Sequence, residues 1–243
     1  MSTTVPAPPT NEPTTAPAAP APDRARTVRD AVVSGGCALS GVLVTTGFAL
    51  DPTRSAGTSS EELIAAVATD PGRFWGSMTL ASFGLAMLAL AGPAVVRLVP
   101  GRGRGLATAG ALLTSFGAVS AAAAMYMYGA VVSASVESPI GTEAAVALQD
   151  HAEDAVATGL PFMLGFPAFL LGLVLCVAAL ARAPQVPKAV PAVLLAGLVG
   201  IVVLGDARPL LATASDVVLA CALAVLGVLS WRRRAPRTIA LPA

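Results

Sequence analysis

Long parts of this chain carry no charge. Between Asp30 and Asp51, Arg73 and Arg97, Arg104 and Glu137, and Asp154 and Arg182 there is no Asp, Glu, Lys or Arg, and each gap holds at least 20 residues. At a helical rise of about 1.5 Å per residue, each gap can cross the roughly 30 Å hydrocarbon core of a bilayer. None shows the polar stripe that a soluble helix turns to water. Charged residues are 12% of the chain, about half the share of a soluble globular protein, so a water-soluble domain is excluded. The one histidine, His151, rules out bis-histidine haem ligation, a two-histidine metalloprotease motif and a Ser-His-Asp triad within the membrane. Cysteine is scarce too. Cys37, Cys176 and Cys221 all fall inside apolar stretches, which excludes an external disulfide and leaves buried thiols acting as small hydrophobes. Gly101-x-Gly103-x-Gly105 has neither the preceding strand nor the Lys-Ser/Thr of a phosphate loop and reads as a turn. No cofactor is expected, and with a net charge of +1 no nucleic-acid partner.

What is present is hydrophobic length. The pattern predicts an all-α polytopic bundle of six transmembrane helices over residues 31–50, 74–96, 106–134, 158–181, 189–205 and 209–231. The last two are the shortest on charge-free length and have a re-entrant hairpin as their alternative. Residues 1–28 form a Pro/Ala-rich tail, with seven prolines in the first 22 residues and no aromatic residue. Such a composition predicts a disordered segment. Residues 29–231 make the membrane domain and 232–243 a basic tail. Arg24 to Arg29 followed by an apolar run has the outline of a secretion signal. The run is too long for one, and no small-x-small site precedes Asp51, so a retained first span is expected.

The basic residues set the orientation. With both termini in the cytoplasm, twelve of the fifteen lie inside, and only Arg54, Arg73 and Arg208 lie outside. Two outer loops have helical signatures. Ser59 with Glu62 has the form of a capping box ahead of a short helix over 61–69, stopped by Asp70-Pro71-Gly72, and Thr142 precedes a helical stretch over 143–154. Trp75 and Trp231 fall at opposite ends of their spans, at headgroup level. Pro93, Pro161 and Pro167 should bend spans two and four. Small residues four apart, such as Gly36 with Ser40, Cys37 with Gly41, and Ser77 with Ala81, allow close helix packing within one chain or between copies. A weak parallel repeat relates the stretch after Ala94 to that after Ala179.

The segment Asp70-Pro-Gly-Arg-Phe-Trp75, the Gly101-Arg-Gly-Arg-Gly-Leu-Ala-Thr-Ala-Gly110 connection and the Arg182 to Pro191 connection resemble a loose group of actinobacterial multi-pass integral membrane proteins. That group often has His before the Pro-Gly, where this chain has Asp70. Because the group has no assigned activity, the resemblance implies fold and compartment alone: a helix bundle in a bacterial plasma membrane.

Asp216 is the one acid inside a span. A carboxylate at that depth costs at least about 2.5 to 3.5 kcal/mol on insertion scales, so something must offset it. Counted from the span ends, Tyr126, Tyr128, Thr45 and Thr46 lie at similar depth and offer hydroxyls. The set is read either as a proton or cation site or as a protonated or hydrogen-bonded tether between helices. On the outer loop, His151 with Asp150 and Asp154 is a weaker candidate for a divalent metal site, against the plainer reading of an acidic water-facing loop. Acid, base and metal candidates never gather, so no enzyme is expected. The leading expectation is a non-enzymatic packing, accessory or regulatory component whose partners are the bilayer and a second copy or another membrane protein. The alternative is a small-solute or ion transporter with Asp216 as proton or cation coupling site.

Overall fold

Helix follows helix through the computed structural model, which describes residues 24–55, 59–154, 156–204 and 209–233. Bilayer solvent leaves backbone groups no water partner, and a helix satisfies them within one segment. The helices are α1 (Arg24–Leu50), α2 (Ser60–Thr69), α3 (Pro71–Leu88), α4 (Ala91–Leu98), α5 (Arg104–Glu137), α6 (Thr142–Asp154), α7 (Val156–Arg182), α8 (Ala189–Leu204) and α9 (Pro209–Arg232). Five stretches are long and apolar enough to cross a membrane: Thr27–Leu50, Pro71–Leu98, Gly101–Glu137, Met163–Arg182 and Thr213–Arg232. The 16 residues of α8 reach only about 24 Å, short of the hydrocarbon thickness. Large apolar side chains such as Phe83, Leu112, Phe116, Met163 and Val203 point outward, an exposure a soluble monomer rarely shows.

The six long helical units form a closed ring. Around it α1 packs on α3, α3 on α5, α5 on α7, α7 on α8, α8 on α9 and α9 back on α1. Ser34 meets Ser230 at 2.7 Å at one end of the α1–α9 contact, and Thr45 meets the Asp216 carbonyl at 3.2 Å toward the other. These two helices therefore run antiparallel along most of their length. Small residues set the spacing. A Cβ added at Gly47 of α1 would fall 2.6 Å from Ala81 N of α3, and one at Gly41 2.6 Å from Ala220 Cα of α9. The tightest seam joins α5 to α7. Gly110 and Gly117 face Cys176 and Phe169, while Gly172 and Gly165 face Thr114 and Ser120, so each helix puts glycines seven apart into the other. In lipid such contact between backbones is a main source of helix association.

The second span departs from the continuous helix expected over 74–96. It breaks at Ala89 and Leu90 into α3 and α4. Pro93 lacks the N–H that would bond the carbonyl four residues back, and its ring crowds that carbonyl. The freed acceptor is Ala89 O, which takes a hydrogen bond from Ser115 Oγ of α5 at 2.7 Å. The break turns α4 into the ring, where it touches α1, α5, α7 and α9, and Ala94, Val95 and Leu98 are buried in the main core. Gln185 Nε2 then donates to Leu98 O at the α4 terminus, at 2.8 Å. By contrast α7 runs on through both Pro161 and Pro167. The two hairpins of the proposed repeat also differ in build, since α4 has 8 residues where α7 has 27.

At the ring end that holds Leu50 and Pro71, α2 and α6 lie together against α5. Ser59 caps α2 by accepting from Glu62 N, and Asp70 caps α3 by accepting from Arg73 N at 3.0 Å, with Pro71 in the first turn. Ile64, Val67, Phe74, Met78, Val132 and Ala145 make a separate small core under this cap. Gly141, with φ +79°, provides the left-handed turn into α6. We call this the capped end and the opposite one, with Arg97, Arg104, Arg182 and Arg232, the basic end. The tail expected over 1–28 becomes helix at Arg24. Residues 1–23, 205–208 and the basic tail from 234 lie outside the described residues.

The capping of the α3–α4 break can be tested by a double-mutant cycle. Ser115→Ala is expected to lower stability by about 1 kcal/mol. In a Pro93→Ala background, where the restored N–H serves Ala89 O, the same change should be almost silent. Thermal melting in mild detergent reads both, and equal losses in the two backgrounds would refute the capping.

Candidate functional site

Asp216 finds its charge partner just past the end of α1. Asp51 Oδ1 accepts from Thr53 N at 2.9 Å and from Thr53 Oγ1 at 2.8 Å, which folds Pro52–Ser55 into a single 3-10 turn. Pro52 fixes φ there and suits the tight bend. The turn directs Arg54 back over α1, with its guanidinium carbon 5.7 Å from the centre of the Phe48 ring. Arg54 Nη2 then donates to Asp216 Oδ2 at 2.7 Å. The Asp216 side chain is 4% exposed and that of Arg54 23%. Arg54 Nη1 is buried with no hydrogen-bond partner. A charged pair taken out of water is stable only while both members stay together.

Asp216 lies in the lining of a cavity. A chamber of about 660 Å³ occupies the ring on the capped side of the α3–α4 break, lined mainly by apolar side chains including Phe48, Leu88, Phe166, Phe169 and Leu219. Its polar lining comes from Asp51, Thr53, Tyr128 and Asp216. A volume of this size suits a small organic molecule. The chamber lies where it does because α4 fills the other half of the ring, so that of the second span only α3 borders this half.

The hydroxyls expected around Asp216 divide. Thr45 Oγ1 donates to the main-chain carbonyl of Asp216 at 3.2 Å, not to the carboxylate. Thr46 is exposed on the outer face of α1. Tyr126 is 48% exposed and packs its ring on Trp75, with centroids 5.2 Å apart. Tyr128 lines the chamber with Asp216. The ionic partner is Arg54, which the sequence reading had counted only as a loop charge. A signal was available: Arg54 is one of three basic residues on the wrong side of the charge pattern, and it follows span one within four residues. Arg73, the second, donates from Nε to Leu50 O at 2.8 Å and satisfies a terminal carbonyl of α1. The third, Arg208, lies outside the described residues.

On α6, Asp150 accepts from Ser60 Oγ of α2 at 2.6 Å, which ties the cap together, and His151 is exposed. The Asp154 side chain lies outside the described residues. Among the described residues no three His, Cys, Asp or Glu side chains gather as a metal site. At the basic end a second ion pair binds α1 to α4, Arg97 Nη2 to Asp30 Oδ1 at 2.8 Å. Cys37 and Cys176 are buried and Cys221 exposed, all as free thiols.

The fold and this site define an all-α membrane helix bundle with a partly buried ion pair beside a chamber between its helices. No protein-family model, curated protein or solved structure matches the chain.

The pair should behave as one unit. Arg54→Met or Asp216→Leu alone is expected to cost about 1 to 3 kcal/mol, because each leaves a charge uncompensated in low dielectric. The double variant should cost clearly less than the sum. Additive losses in detergent melting would show that the two charges do not interact.

Proposed function

We propose that this chain is a six-span protein of the bacterial plasma membrane, with both termini cytoplasmic, that works without catalysing a reaction. In this reading it is a small-solute carrier in which Asp216 is the coupling carboxylate. One observation carries it: Asp216 borders an apolar chamber of about 660 Å³, and its counter-charge Arg54 sits on a short turn, not on a packed helix. A carboxylate that served only to tether helices would face a neighbouring helix. Asp216 instead lies at the edge of the chamber, and its partner is on a short turn that can move away without unpacking the ring. The positive-inside charge pattern supports the orientation, placing the capped end and the Arg54 turn outside. It makes α8 a short fifth span that accommodates by local thinning of the bilayer.

A second reading, an accessory or regulatory component that packs with itself or with another membrane protein, is favoured by α8. Among the ring helices it is the shortest, and Val193, Leu195, Val199 and Val203 on it are exposed.

Two cysteine experiments in a cysteine-free background test these proposals. Ala207→Cys, in the sequence between α8 and α9, should react with an impermeant thiol reagent in intact cells, as should a control Ser138→Cys; protection of position 207 alone would overturn six spans. Ala124→Cys, inside the chamber, should be labelled from outside in cells and also from the cytoplasmic face in inverted vesicles, since a carrier must open to both sides. Labelling from one face at most would sink the carrier reading and leave the accessory one.

A further inference from the structure

We propose that the chamber binds a lipophilic organic monocation, whose charge takes the place of Arg54 on Asp216. The inference rests on the carrier reading for the existence of a ligand and adds its chemical class. The first argument is charge. Among the described residues the chamber lining contains two carboxylates, Asp51 and Asp216, and no basic residue. Arg54 reaches in from outside that lining and neutralises only one of the two. A monocation that takes the place of Arg54 keeps Asp216 paired and makes the local sum no more negative, while an anion would raise the imbalance in low dielectric.

The second argument is shape and surface. The remaining walls are apolar and aromatic, with Phe48, Tyr128, Phe166 and Phe169 among them. Ring faces attract cations whose charge is spread over a large apolar body, and such cations lose little hydration on entering. Small inorganic cations fit poorly, since those hard ions need a shell of oxygen ligands and the polar lining is confined to Asp51, Thr53, Tyr128 and Asp216 in a mainly apolar cavity.

The third argument is that Arg54 is replaceable. Its Nη1 is buried without a partner, so the guanidinium is held under incomplete satisfaction, which opposes the ion pair. Its backbone belongs to a four-residue 3-10 turn, and its side chain already has partial access to solvent. Release of Arg54 toward water would end that deficit as the ligand cation takes up Asp216 and the Phe48 face. Arg54 is then a competitor for the site, and ligand entry is an exchange of one cation for another.

Tetraphenylphosphonium and tetraphenylborate, alike in shape and opposite in charge, are the probes. Equilibrium dialysis with the purified full-length protein in mild detergent should show saturable binding of tetraphenylphosphonium and none of tetraphenylborate. Asp216→Asn, which keeps the shape, is expected to weaken the phosphonium at least tenfold. Arg54→Gln should tighten it several-fold by removing the competitor, and this sign separates exchange from plain structural loss. Ala124→Phe, which fills the chamber and leaves every charge in place, should abolish binding. Phosphonium should also raise the melting temperature of the wild-type protein and not that of Ala124→Phe. Borate binding, unchanged phosphonium affinity in Asp216→Asn, weaker affinity in Arg54→Gln, or no saturable binding at all would each overturn the proposal. Because the assay needs no transport, phosphonium binding with Ala124→Cys labelled from one face would sink carriage alone. Labelling from both faces without phosphonium binding would sink the cation class alone.

Discussion

A single missing N–H organises the interior. Pro93 cannot bond Ala89 O, the helix breaks there, and Ser115 of α5 supplies the lost donor at 2.7 Å. Once broken, the second span no longer follows the ring wall. Its last part, α4, turns inward and packs against four ring helices at the basic end. The main core forms around it, with Leu88, Ala91, Val95 and Leu98 meeting residues of α1, α7 and α9. The other half of the ring has no such central helix, and there the chamber remains. Core and cavity thus have one cause.

Closure of the ring needs the opposite kind of device. Where α5 meets α7 and where α1 meets α3 and α9, glycines let backbones touch, and packing replaces the hydrophobic driving force that lipid does not provide. A wall of this kind is compatible with a chamber inside it, since the helices are held by their contacts with each other rather than by what lies between them. The cap adds a second, smaller core from α2, α6 and the ends of α3 and α5, so the long α5 is anchored both within the ring and beyond it.

Charge is used sparingly, and among the described residues the charges in or beside the apolar stretches have identifiable contacts. Asp30 pairs with Arg97 at the basic end, Asp216 with Arg54 at the capped end, and Arg73 serves a terminal carbonyl of α1. Both ion pairs involve α1 or the turn that follows it, so the first helix connects to the second span at one end and to the last at the other. The pairs differ in setting. Arg97 lies on a helix packed in the core, whereas Arg54 lies on a turn beside a cavity. Only the second has room to exchange partners.

The helical class, the long apolar stretches and most helix ends were legible in the sequence because they follow from local properties. Hydrophobic length decides whether a segment suits a bilayer, and short-range chemistry decides its ends, as with Ser59 and Glu62 at α2 or Asp70 and Pro71 at α3. Asp216 stood out for the same reason, as one acid in an apolar run. The partner of Asp216 was not legible. Depth counting selected tyrosines at the right level, but depth fixes one coordinate, and the angular position of a side chain around the ring depends on which helices are neighbours. Tyr126 has the depth and faces Trp75 instead. Arg54 has a loop position by count and reaches Asp216 because the Asp51–Thr53 turn reverses the chain. The seven-residue glycine pairs were visible as letters, yet only the antiparallel register of α5 and α7 makes them a seam. The sequence by itself determined which segments leave water and which residues there are costly. Which of those residues meet, and where space is left between them, was decided by the closure of the ring, a long-range packing result that no local window contains.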